Sequence, residues 1–87
     1  MPRYFFHTQN GDRIRDDQGE ELADVDAARN EALTVLGEIL RYRGTAFWTT
    51  GSFSVIVTDA EGGVAFSITA QASDTAPKGW CLSKTGG

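Results

Sequence analysis

The only histidine of the chain, His7, closes the run Tyr4-Phe5-Phe6-His7, so three aromatic rings and one imidazole occupy four consecutive positions. An imidazole serves as a general base, a metal ligand or a pH switch, but each role needs partners at hydrogen-bond distance. Downstream, Asp12, Asp16, Asp17, Glu20, Glu21, Asp24 and Asp26 gather carboxylates of the kind that hold Ca²⁺ or Mg²⁺. They lack the alternating Asp/Asn spacing and closing Glu of an EF-hand loop, and read instead as a solvated turn followed by a helix cap. Neither a Gly-x-Ser-x-Gly elbow nor a glycine-rich phosphate loop occurs, and the single Cys81 has no second thiol to pair with. These residues assign no catalytic group, metal site or cofactor, and the expectation is a protein that is not an enzyme.

The elements that position His7 follow from periodicity. Arg3 to Gln9 is rich in residues that favour a pleated surface, and Asn10-Gly11 is a hairpin turn signal, with Asp12 to Asp16 pairing back as a short, polar edge strand. Alternation sends Tyr4 and Phe6 to one side of the sheet and Phe5 and His7 to the other, so the aromatic run cannot form one pocket. Both parities are aromatic, which leaves the choice of sides open; Tyr4 and Phe6 are expected in the core with Phe53, Val55 and Phe66, and Phe5 and His7 on the outer face near Ile56.

From Asp24 the period changes. Val25, Ala28, Ala32, Val35, Leu36, Ile39 and Leu40 recur at threes and fours, which predicts a helix with Asp24 as N-cap, Arg41 and Arg43 at the C-terminal end and Gly44 as its stop. Gly37 inside this helix should cost about 1 kcal/mol relative to Ala, and close packing of another backbone is the favoured reason for it over simple tolerance. After an irregular stretch from Thr45 to Gly51, Ser52 to Asp59 and Val64 to Ala70 alternate with period two around Asp59-Ala60-Glu61-Gly62-Gly63, a second hairpin. The order β-β-α-β-β predicts a two-layer α+β domain: a four-stranded antiparallel sheet covered by one helix over residues 1–72. Residues 73–87 have no apolar period and read as a flexible tail, interrupted by Trp80, Cys81 and Leu82.

Eighty-seven residues, 40% of them hydrophobic, make one folded unit. So small a chain buries a limited share of its surface, and self-association would help it. Eight basic residues are scattered among twelve acidic ones for a net charge of −4, which argues against a nucleic-acid partner. No segment approaches the length of a membrane span and Met1 to Phe6 lacks the charge and apolar run of a signal peptide, so no membrane partner and a cytoplasmic location are expected.

The opening Met-Pro-Arg-Tyr-Phe-Phe-His, then Gly11-Asp12, Asp16-x-x-Gly19-x-Glu21-Leu22, Asp24 and Ala27-Ala28-Arg29-x-Glu31-Ala32, resembles a family of small bacterial proteins that share this opening and form a domain of unknown function. Val57-x-Asp59-x-x-Gly62 and the strand after it are similar to that family's closing hairpin, so the resemblance covers roughly residues 1 to 70. It implies domain limits and a bacterial cytoplasmic setting, and no activity.

The remaining signal is exposed aromatic surface. Phe5, His7, Ile56, Phe47, Trp48 and Trp80 exceed what one helix covers, which points to an interface: a homodimer or a protein partner, in a binding or regulatory module. The alternative is a small-ligand or divalent-metal-binding protein using His7 and nearby carboxylates.

Overall fold

The structure, a computed structural model, describes residues 2–75 and residue 79. Its central strand β1, Arg3–Gln9, turns through Asn10 and Gly11 into the two-residue strand β2, Arg13–Ile14. After a loop, β3, Glu20–Glu21, returns to β1, so that β2 pairs with Thr8 and Gln9 while β3 pairs with Arg3 and Tyr4. Then come the helices α1, Val25–Tyr42, and α2, Gly44–Thr50, and the hairpin β4, Ser52–Thr58, with β5, Val64–Gln71. The sheet is antiparallel in the order β2-β1-β4-β5, with β3 sharing β1's outer edge. The α+β class and helix-on-sheet layering match the sequence reading; five strands and two helices replace the expected four and one.

The core forms where period two meets period 3.6. Phe53, Val55 and Val57 of β4 are fully buried, as are Ala28 and Ala32 of α1, and Tyr4 and Leu36 complete the cluster. Two alanines on the buried stripe keep the helix surface low and let it lie close on the central strands. Burying Phe53, Val55 and Val57 contributes roughly 1.5–3 kcal/mol each. Phe6 packs against this cluster too, so Tyr4 and Phe6 take the core side of β1 as expected.

Helix α1 begins where the N-cap signal lies: the Asp24 carboxylate accepts from the Ala27 amide at 2.9 Å. Its other end differs from expectation. Arg43 caps it, donating its amide to Ile39, and Gly44 opens α2 rather than ending the helical region. The stretch expected to be irregular is helical because Phe47 packs against the core and because Gly51, at φ +91°, supplies the left-handed stop. Gly37 is exposed, and a Cβ placed there would meet nothing within 4 Å, so among the described residues no backbone packs against it. Val25, expected on the buried stripe, is exposed.

Candidate functional site

Strand alternation places Phe5, His7 and Gln9 of β1 beside Ser54, Ile56 and Thr58 of β4 on the sheet face away from the helices, with Ser67, Thr69 and Gln71 of β5 continuing it. Phe5 and His7 stack with ring centroids 6.5 Å apart and planes at 11°. His7 Nε2 lies 2.9 Å from Thr58 Oγ1, and His7 Nδ1 accepts from the Asp16 amide at 3.0 Å. A backbone N–H can only donate, so Nδ1 is the unprotonated nitrogen and Nε2–H donates to the threonine hydroxyl. Both nitrogens of the ring are thereby engaged.

Asp16 comes from the loop between β2 and β3, which crosses β1 where neither short strand pairs with it. Its Oδ2 accepts the Phe6 amide at 3.1 Å, standing in for a missing ladder bond, and its Oδ1 accepts from Gln18 and Gly19 at 3.0 and 3.1 Å. Burial pushes the Asp16 carboxyl up, but the three amides, with His7 nearby, outweigh it and hold the group below the ordinary carboxylate value. Gly19 makes the close crossing possible: at φ +69° it sits where a Cβ would lie 2.8 Å from the Tyr4 carbonyl and 2.9 Å from the Phe5 ring. Glu21 pairs with Arg3 at 3.4 Å, a half-exposed contact of little weight.

Beside this clasp runs an open groove of about 510 Å³ lined by His7, Gln9, Ile56, Ile14, Arg13 and Arg15. A smaller hollow of about 240 Å³ lies beyond His7, bounded by Asp16, Asp17 and the β4–β5 turn. The groove has an apolar floor and a guanidinium rim, and among the described residues no carboxylate lies within ion-pair distance of Arg13 or Arg15. Nor, among the described residues, do three His, Cys, Asp or Glu side chains converge as a metal would need. The one imidazole on this surface has both ring nitrogens engaged.

Of the residues expected at an interface, Phe5, His7 and Ile56 come together here. Phe47 does not, because it packs on the helix side of the sheet with the core; Trp48, 63% exposed, meets it edge to face at 6.2 Å. Trp80 lies outside the described residues. Thr58, Arg13 and Arg15 carry no such expectation, and Asp16 is expected only as one carboxylate of a solvated turn or of the alternative ligand site. The one signal for Asp16 is its spacing, since an Asp two and three residues before free amides, with Gly in the last position, is a side-chain-capped turn.

Fold and site together define a small two-layer α+β domain whose sheet face away from the helices carries a clasp across its central strand. The chain belongs to the family described as Domain of unknown function (DUF6894), whose model matches residues 3–71. That span starts at β1 and stops at the end of β5, so it takes in the whole sheet and both helices. Neither the curated proteins nor the solved structures contain a match to the chain. No helix of the described residues is long and apolar enough to cross a membrane.

Proposed function

We propose that the domain is a non-enzymatic protein-binding module of the bacterial cytoplasm, one that self-associates and receives a protein partner on its outer sheet face. The observation that carries this reading is the engagement of both His7 nitrogens, by Thr58 and by the Asp16 amide, at the border of a groove with an apolar floor and two arginines that have no ion-pair partner among the described residues. A base or metal ligand needs a free lone pair, whereas an apolar floor rimmed by guanidinium groups favours an acidic partner segment with an apolar anchor. Divalent-metal binding through His7 would have to break the Asp16 contact first, and thermal shifts with divalent metals that depend on His7 would favour that alternative. The test of the main reading compares wild type with Ile56→Asp and Arg15→Glu as immobilised bait. A protein retained by wild type and released by both variants supports the outer face; the same captured set on all three baits removes it.

A further inference from the structure

The two edges of the sheet are treated very differently. The outer edge of β1 is filled at both ends by β2 and β3, and between them the Asp16 carboxylate takes the Phe6 amide. Among the described residues nothing pairs with the outer edge of β5. That strand, Val-Ala-Phe-Ser-Ile-Thr-Ala-Gln, spans eight residues without a charge or a proline. Lysines, prolines and inward charges are the usual guards of a free edge, and a single bulge near Val64 is all that β5 carries.

The direction of its free backbone groups can be read from the ladder. Ala72 donates to the Gly51 carbonyl, so residues of even number in β5 bond inward to β4. Ser67, Thr69 and Gln71 then direct their N–H and C=O groups outward. The 2.8 Å contact between the Ser54 and Thr69 hydroxyls agrees, since non-hydrogen-bonded pairs bring side chains closest.

The helix layer is unfinished at the same edge. Where Phe53, Val55 and Val57 of β4 are sealed, their β5 neighbours Phe66, Ile68 and Ala70 are only partly buried. Arg29 of α1 reaches over the Phe66 ring at 6.0 Å, which fixes the flank of α1 that faces β5. Leu33, one turn beyond on that flank, is 55% exposed, and a Cβ at Gly37, a further turn on, would have no neighbour within 4 Å among the described residues. Open backbone and uncovered apolar surface thus coincide.

We propose that β5 pairs antiparallel with β5 of a second copy, joining the two sheets into one across a twofold axis. The proposal rests on the self-association in the reading above and names its surface, which is not the outer face. With Ile68 on the axis, Ser67 and Thr69 exchange main-chain bonds with Thr69 and Ser67 of the second copy. Phe66 then falls opposite Ala70, large against small, on the helix side. A lone peptide strand would satisfy the backbone but leave Leu33 and the low flank around Gly37 bare, whereas a second copy brings its own helix to the same place. With no charge on β5, two acidic chains meet without a like-charge pair in the ladder.

The test is sedimentation velocity on the full chain from micromolar to millimolar concentration, for wild type, Ser67→Pro, Thr69→Lys and Ile56→Asp, with circular dichroism to confirm folding. Ser67→Pro removes only an outward N–H, which an edge strand tolerates. Wild type should show a monomer–dimer equilibrium whose Kd rises about tenfold or more in Ser67→Pro and Thr69→Lys, and changes by no more than about twofold in Ile56→Asp. If Ser67→Pro fails to fold, Thr69→Lys decides. A dimer unaffected by the β5 variants, or lost only in Ile56→Asp, overturns the edge pairing while self-association stands. A wild type that stays monomeric throughout removes self-association itself.

Discussion

Asp16 grips His7 and its neighbour at once: its amide donates to His7 Nδ1 at 3.0 Å while its carboxylate accepts the amide of Phe6 at 3.1 Å. One residue therefore replaces the part of an edge strand that β2 and β3 leave out, and holds the imidazole on the outer face. Asp16→Asn puts an NH₂ donor against one of the three amide donors and removes the charge that strengthens the rest. A loss of about 1–3 kcal/mol is expected, read by urea unfolding at neutral pH, and Asp16→Ala should cost at least as much. An unchanged midpoint would mean the clasp carries no stability.

The same carboxylate sets an acid limit. Its folded-state value lies below the ordinary 3.8, so between the two values the unfolded chain binds more protons and stability rises with pH. The contribution is fully present above 3.8 and is lost as pH falls through the folded value. Asp16→Asn should accordingly flatten the acid limb of a stability-against-pH curve, and parallel limbs in the two proteins would contradict the amide contacts.

Because a backbone N–H faces Nδ1, His7 at neutral pH should be the tautomer with its proton on Nε2. Nitrogen-15 correlation spectra of the ring distinguish the two forms directly. A proton on Nδ1 would place two donors face to face at 3.0 Å and would rule out the contact as described.

Gly19 and Gly37 should respond oppositely to alanine. At Gly19 the positive φ and the 2.8 Å approach to the Tyr4 carbonyl oppose any Cβ, and Gly19→Ala should cost about 2–4 kcal/mol. At Gly37 the helix interior is open, and Gly37→Ala should raise the stability of the monomer by about 1 kcal/mol. Thermal or urea midpoints of the two variants, measured on dilute protein, decide both.

What the sequence made legible was local. Alternation within Tyr4-Phe5-Phe6-His7 separated core from outer face, and Asp24 marked the start of α1, because each depends on residues a few positions apart. Helix α2 was hidden because Gly-Thr-Ala-Phe-Trp-Thr-Thr is a poor helix former that owes its state to Phe47 packing on the core. Strand β3 is two glutamates, too short for any period. The clasp was hidden for a related reason: Asp16 and Phe6 are ten residues apart and meet only once β2 and β3 have both docked on β1, so no local pattern encodes their contact. A solvated turn was the simplest reading of those carboxylates; it fails for Asp16, whose side chain takes the Phe6 amide, and for Glu20 and Glu21, which form β3 on β1.

Glu31 offers a test of how α1 lies on the sheet. Burial raises its carboxyl first, and repulsion from Glu20 of β3 and Glu38 of α1 adds to it, while Arg29 of the same helix lies over Phe66 of β5. A raised value has the opposite sign to Asp16: the folded form holds the proton more tightly, so stability falls as pH rises from the ordinary 4.5 through the folded value. The full penalty is present at neutral pH. Because the site is partly solvated, Glu31→Gln should gain only about 0.2–0.5 kcal/mol there, and Glu31→Lys somewhat more through attraction to Glu20 and Glu38. Below the ordinary carboxylate range the gain from Gln should vanish, since wild-type Glu31 is then protonated in both states. A gain that persists in acid would assign the effect to helix propensity instead, and the loss of the Lys benefit on adding Glu20→Gln would tie it to β3.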